Sequence, residues 1–303
     1  MKKIYLSLSG GLGNQLFTYG FAKYLTKRYN YSVSIDLSFF KTSKLNLDLK
    51  HLQTNNIQFE YVFGNNYKLV KYLQLLPKKI RFIFCSILSK GKVKNIYFES
   101  GVDLRRFKIK YDNSYYLDNK DFNINSIDYI YGYSQNIIYL NKIIKNLNKE
   151  IVPISKKSID RVNFTFNKVK DNTCAMHIRC DASDDYDFKM LNPEYFNKAI
   201  KVIKNKNIHK LIIFTDNLIY ANNIILQLDT SCQYEFISDF NLTTIEEFYL
   251  LSKFKNIIIS ISTFSWFAAY LNNHSKDTIV IPSIWFKNNP IPNSLKIDNS
   301  VIL

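Results

Sequence analysis

Four short apolar segments in the second half of the chain end in residues that can bind an anion or stabilise developing charge. His177-Ile178-Arg179 closes the first, Thr215-Asp216-Asn217 the second, Ser238-Asp239 the third and Ser260 to Ser265 the fourth. Arg179 carries a planar guanidinium that grips phosphate oxygens in pairs and does not lose its charge. Breaking a sugar–nucleotide bond gathers negative charge on the leaving diphosphate, and a fixed cation there lowers the barrier. His177, two residues earlier in an extended segment, is expected on the same face; the competing reading is a core histidine beside a surface ion pair. Asp216 can accept hydrogen bonds from a base or a ribose, and can equally cap a helix. Ser262, Thr263, Phe264 and Ser265 bring hydroxyls and backbone N–H groups to an expected helix start, which is an anion site. Trp266 and Phe267 behind them read as core.

A fifth cluster lies near the N-terminus, in Gly10-Gly11-Leu12-Gly13-Asn14-Gln15. Gly11 and Gly13 let backbone approach a ligand closely. The following helix offers free N–H groups, and Asn14 and Gln15 add neutral donors. Three readings stay open: a phosphate or sugar cradle, a structural turn, and a dinucleotide fingerprint with Asp36 as its acidic residue. Against the last, the third glycine of GxGxxG falls on Leu16.

The elements that would position these residues alternate. Lys3–Ser9 reads as a buried strand, Leu16 to about Asn30 as a helix and Tyr31–Asp36 as a second strand, the start of a doubly wound sheet. Further on, strands are expected at 128–133, 173–179, 210–215, 233–238, 256–260 and 278–282. Asn192-Pro193-Glu194 opens a helix with an asparagine cap and proline at its first position, running to about Lys206. Thr243-Thr244-Ile245-Glu246 is a capping box, and 263–271 is a helix. In open parallel sheets ligands sit at the carboxyl ends of strands, where all the polar clusters fall. The Lys- and Asn-rich stretch 145–172 is the expected link between an N-terminal domain, 1–150, and a C-terminal domain, 151–303. The stretch 69–89, apolar with Lys71, Lys78, Lys79 and Arg81, reads as helices packed on the sheet, or as a basic amphipathic pair at a membrane surface.

Bulk composition narrows the classes. The chain has 303 residues, of which 47% are hydrophobic and 16% aromatic, enough for a large core. No run of about 18 uncharged apolar residues occurs, so no membrane-spanning helix is expected. The first residues read as a strand rather than a secretory signal. Cys85, Cys174, Cys180 and Cys232 have no metal-ligand spacing and read as free thiols of a reducing compartment. Forty-one Lys and Arg against 25 Asp and Glu give +16, a field that attracts phosphorylated ligands, polyanions or anionic lipid surfaces. No nucleic-acid motif accompanies it, so nucleic acid is not an expected partner.

Taken in order, Gly10 to Phe17, Asp36-Leu37-Ser38, Gly132-Tyr133-Ser134-Gln135, His177-Ile178-Arg179, Phe214-Thr215-Asp216, Ser262 to Asn272, and Pro282 with Trp285-Phe286 resemble bacterial α-1,2-fucosyltransferases, glycosyltransferase family 11. The resemblance implies an α/β, GT-B-like fold of two facing Rossmann-like domains with parallel sheets. The N-terminal domain would take the acceptor and the C-terminal one a GDP-sugar. It implies an inverting transfer of L-fucose from GDP-fucose to the 2-hydroxyl of a galactose-type glycan, without metal or other cofactor. The acceptor would be an oligosaccharide or lipid-linked glycan of a bacterial surface polysaccharide. The enzyme would be cytoplasmic, with peripheral contact to an anionic membrane face. Arg179 then falls on the diphosphate, Asp216 or Asn217 near guanosine, and Ser262–Ser265 beside the phosphates.

The family motif reads His-x-Arg-Arg-Gly-Asp, whereas Cys180, Asp181 and Ala182 fill its last three places here, and Ile261 stands where asparagine is usual. These departures leave room for another GDP-6-deoxyhexose such as GDP-colitose, or for a non-catalytic protein that binds the sugar nucleotide or a glycan. The general base is open among Asp181, Asp184, Asp185, Asp187 and His177, with a solvated acidic loop as the plainer reading of the aspartates.

Overall fold

The computed structural model describes residues 3–55, 57–61, 102–104, 109–111, 129–180, 190–272, 278–286 and 289–303, with Tyr72, Leu76, Ile80 and Ile83. The stretch 69–89, apart from those four positions, and the aspartate run 181–187 lie outside the described residues. The chain divides into two compact units, Met1–Leu49 with Thr54–Asn146, and Lys50–Gln53 with Leu147–Leu303.

In the first unit, β1 (Lys3–Ser7) leads into α1 (Leu12–Tyr29) and β2 (Ser32–Asp36). Strands β3 (Gln58–Glu60), β4 (Val102–Leu104), β5 (Ile109–Tyr111) and β6 (Tyr129–Tyr131) complete a sheet of order β3-β2-β1-β6-β5-β4. Every pair is parallel except β4 with β5. Helix α1 buries Leu16, Phe17, Phe21 and Leu25. It also packs aromatic rings against α2 (Ile137–Asn141), with Phe21 and Tyr24 at 5.0 and 4.8 Å from the Tyr139 ring. It starts four residues earlier than its apolar periodicity suggests, so Leu12 to Gln15 form its first turn and only Gly10 and Gly11 remain as loop. Asn30 ends it in the left-handed region, with its N–H on the Thr26 carbonyl, a common helix stop.

The second unit holds α3 (Ile144–Glu150), which begins just before the boundary, and α4 (Lys156–Val169). Then come β7 (Thr173–Ile178), α5 (Pro193–Ile203), β8 (Lys210–Thr215), α6 (Leu218–Ile225) and β9 (Gln233–Phe236). Last are α7 (Thr244–Leu251), β10 (Asn256–Ile258), α8 (Thr263–Leu271), β11 (Thr278–Ile281) and β14 (Val301–Ile302). A two-stranded hairpin, β12 (Ile284–Phe286) and β13 (Asn289–Pro290), precedes β14. The main sheet runs β14-β11-β10-β7-β8-β9, all parallel. Met176 and Ile178 of β7, Leu211 and Ile213 of β8, and Tyr195, Phe196 and Ala221 of the helices share one core layer. Both faces are covered, and β7, β8 and β11 are accordingly buried almost throughout and mostly apolar.

The stretch 145–172 contains the boundary between the units, at Asn146 and Leu147, but it is largely helical. Leu147 of α3 and Val162, Thr165 and Val169 of α4 are buried, Ser155 caps α4 by accepting from the Ser158 N–H, and Pro153 pairs with Leu52. Its Lys and Asn residues occupy the solvent face of helices rather than a flexible connection.

Candidate functional site

In the second unit the polar residues converge at the carboxyl ends of β7, β8 and β10. Ile178 pairs with Thr215, so Arg179 and Asp216 leave neighbouring strands at one level. Arg179 Nε lies 3.1 Å from Asp216 Oδ2, and the Cys180 backbone N–H donates to Asp216 Oδ1 at 2.8 Å. The pair is partly open to solvent, with side-chain exposures of 42% for Arg179 and 32% for Asp216. Among the described residues the two terminal nitrogens of Arg179 meet no other carboxylate. Asn217 caps α6, accepting from the Tyr220 N–H at 3.0 Å, and its own N–H donates to the Thr215 hydroxyl at 3.1 Å. Asn217 is therefore a helix cap through its side-chain oxygen.

His177 corrects the sequence-based expectation. It is 5% exposed, its Nδ1 lies 2.6 Å from the Ser260 hydroxyl, and its ring lies 5.8 Å from that of Phe264. Burial, helped by the Arg179 charge, pushes its pKa down to about 3. A group this deep and this weakly basic does not take a proton from a substrate near neutral pH. It ties the ends of β7 and β10 together instead. The other candidate bases, Asp181, Asp184, Asp185 and Asp187, lie outside the described residues.

Helix α8 begins at Ser262, which lies in extended conformation and makes no side-chain capping bond. Its first-turn N–H groups are therefore not closed by a hydroxyl, as an anion site needs. Ser262, Thr263 and Phe264 are partly exposed there. Ser265 is buried and donates back to the Ser262 carbonyl at 3.4 Å, so it supports the turn and does not face a ligand. Trp266 is core, with its indole N–H on the Leu295 carbonyl at 2.6 Å.

The first unit carries a separate polar cluster. Gly10 has φ +80°, and a Cβ there would meet Asn14 Nδ2 at 2.6 Å, so this position requires glycine. Gly11, at the helix entry, has open space where a Cβ would go, and Gly13 is buried inside the first turn of α1. Gln15 is fully buried. Its amide donates to the Gly10 and Asn46 carbonyls at 3.0 and 2.8 Å and accepts from the Leu49 N–H at 3.0 Å. The expectation that Gln15 donates to a ligand is corrected: all its donors hold backbone. Asn14, partly exposed, accepts from Gln135 Nε2 at 2.9 Å. Asp36 is buried; it accepts from the Ser38 N–H at 2.9 Å, the Ser38 hydroxyl and the Tyr129 hydroxyl at 2.7 Å. A carboxylate so enclosed cannot reach a ribose, which removes the dinucleotide reading.

Two residues were given no role by the sequence. Gln135, 2% exposed, has a buried Oε1 without a hydrogen-bond partner among the described residues, beside the first turn of α1. The sequence marked it only as the end of the Gly132-Tyr133-Ser134-Gln135 segment that follows a strand, with no role attached. Glu247 sits in the first turn of α7, where burial raises its pKa to about 7. The capping box formed by Thr243 and Glu246 hid it; Glu246 is the carboxylate that completes the box and meets Arg161 at 3.4 Å. Phe248, next to Glu247, stacks edge-on against Phe264 at 5.5 Å. Among the described residues no group of three or more His, Cys, Asp or Glu is placed to hold a metal ion, and no helix is long and apolar enough to cross a membrane.

The glycosyl transferase family 11 profile matches residues 3–294. The chain is 26% identical over 315 residues to the O-antigen biosynthesis glycosyltransferase WbnK of Escherichia coli, covering 94% of this chain and 96% of the relative. It is 25% identical over 312 residues to an alpha-1,2-colitosyltransferase of Escherichia coli, covering 95% and 93%. Among solved structures, the fucosyltransferase NodZ from Bradyrhizobium superposes with a TM-score of 0.50 at 10% identity, over 89% of this chain and 93% of that one. The alpha-1,6-fucosyltransferase NodZ has also been co-crystallised with GDP. The fold is thus GT-B-like, as the motif pattern implied.

Proposed function

The chain belongs to glycosyl transferase family 11 and is a glycosyltransferase, and we propose that it moves a 6-deoxyhexose, L-fucose first, from its GDP-linked form onto a glycan hydroxyl, with inversion at the anomeric carbon. One observation carries this reading: Arg179 and the uncapped start of α8 follow neighbouring strands, β7 and β10, of one sheet. A guanidinium fork and a set of free N–H groups suit the oxygens of a diphosphate. The acceptor hydroxyl attacks the anomeric carbon as the bond to the diphosphate breaks, and Arg179 and the α8 amides stabilise the charge that collects on the leaving GDP. In this reading the side-chain cation carries the role a metal has in other transferases, and no cofactor takes part. The relatives' names and the GDP complex of NodZ support a GDP-sugar donor and a surface-polysaccharide acceptor, and the net charge of +16 suits a lipid-linked acceptor met at the inner membrane face.

The replacement of the motif's last three residues by Cys180, Asp181 and Ala182, together with the colitosyltransferase among the relatives, favours GDP-colitose as a second reading. Incubation with GDP-fucose and GDP-colitose, with galactose-terminated acceptors and mass spectrometry of the products, tests both. Transfer from GDP-colitose alone replaces the first reading by the second. GDP binding by calorimetry with no product from any donor refutes catalysis and leaves a binding protein.

A further inference from the structure

Asp216 was expected to meet the nucleoside. The geometry gives it other work. Its Oδ2 lies 3.1 Å from Arg179 Nε as an ion pair, and its Oδ1 accepts from the backbone N–H of Cys180, the residue after Arg179, at 2.8 Å. One carboxylate thus grips both the side chain of the arginine and the backbone immediately behind it. It does so from the adjacent strand end, where Ile178 and Thr215 are in register. We propose that Asp216 is a positioning residue that acts on the donor through Arg179, fixing the guanidinium so that its two terminal nitrogens present a ready-made fork to the diphosphate. The inference rests on the reading of Arg179 as the diphosphate clamp.

Two opposed effects decide whether such a contact helps. A carboxylate beside the guanidinium offsets part of its charge and so weakens its pull on an anion. Against this, a free arginine side chain loses much rotamer freedom when it is ordered on a ligand. Because the Nε edge is already held, that loss is taken in folding rather than in binding. The pair is about a third or more exposed on each side, so solvent screens the attraction between the two charges. The position of the guanidinium depends on the 3.1 Å Nε contact with a carboxylate that is itself held by a directional backbone bond. Orientation therefore outweighs neutralisation. The Cys180 N–H bond sharpens this, because it holds the carboxylate itself and keeps the pair from swinging as a unit.

The test is calorimetric titration of GDP and of guanosine into the wild-type chain, Asp216→Asn, Arg179→Ala and the double variant, with thermal melts to establish folding. Asparagine keeps an oxygen for the Cys180 N–H but removes the negative charge and turns an NH₂ group towards Arg179, so the ion pair is lost. GDP affinity is expected to fall about tenfold in Asp216→Asn as the guanidinium loses its anchor, while guanosine affinity is unchanged. In the Arg179→Ala background, Asp216→Asn should cost nothing further. Equal losses for GDP and guanosine would return Asp216 to the nucleoside and overturn the proposal. Unchanged or tighter GDP binding would show that neutralisation wins, and full additivity of the two substitutions would show that Asp216 acts independently of Arg179. If Asp216→Asn does not fold, Asp216→Glu gives the same comparison, since its longer arm displaces the fork while keeping the charge. Failure of the wild-type chain to bind GDP at all would refute the proposed function, an outcome separate from those above.

Discussion

Replacing His177 by glutamine should remove an acid-sensitive component of stability. Burial first, and the Arg179 charge second, lower the histidine from its ordinary 6.5 to about 3. A base whose folded pKa is depressed binds fewer protons when folded than when unfolded. Its contribution is fully present above about pH 6.5 and is lost as pH falls towards 3. Between pH 7.5 and pH 5 the unfolded histidine gains most of a proton and the folded one almost none, which costs the native state about 2 kcal/mol. Glu247 acts in the opposite sense. Its pKa, raised by burial to about 7, makes the native state bind the extra proton, so acidification stabilises it over the same interval. The wild-type profile therefore mixes two slopes of opposite sign and comparable size, and the difference between wild type and His177→Gln isolates the histidine. Urea denaturation at pH 7.5 and pH 5 should show the wild type losing about 2 kcal/mol more than the variant. Glutamine is chosen because its amide can still meet the Ser260 hydroxyl that His177 Nδ1 meets at 2.6 Å. Equal losses in the two proteins would refute a buried, neutral His177.

Three further outcomes follow from other residues. Glu247→Gln should stabilise the fold by about 1–3 kcal/mol at pH 8 and by little at pH 4.5, since a raised carboxyl pKa makes stability fall as pH climbs from 4.5 towards 7; a uniform effect across pH in the same denaturation assay would contradict it. Gly10→Ala should lower stability by about 1–3 kcal/mol, because φ +80° disfavours any side chain and the new Cβ meets Asn14; Gly11→Ala, with open space around it, should leave the melting temperature nearly unchanged. Arg179→Ala should reduce kcat/KM for the donor by about 10²–10³-fold, measured as nucleotide released per turnover, and near-wild-type turnover would remove the clamp from the mechanism.

Sequence alone settled the frame of this protein. Residues 210–215 and 263–271 have the extents that their apolar runs and flanking polar residues announce, and the capping box at Thr243 and Glu246 closes as its spacing requires. These features are local: backbone hydrogen bonding, caps and apolar periodicity act within a few residues, so the order of residues determines them. The strand ends that carry His177, Arg179, Asp216 and Ser262 were legible for the same reason, and with them the family. What each side chain does there depended on groups distant in the chain. Gln15 is held by Asn46 and Leu49, His177 by Ser260, Arg179 by Asp216 and Asp36 by Tyr129. The crossing of Lys50–Gln53 into the second unit is of the same kind. Whether a polar side chain turns inward to complete the fold or outward to meet a ligand is decided by burial and by which partner the packed sheet brings within about 3 Å, and hydrogen bonding at that range has no signature in residue order.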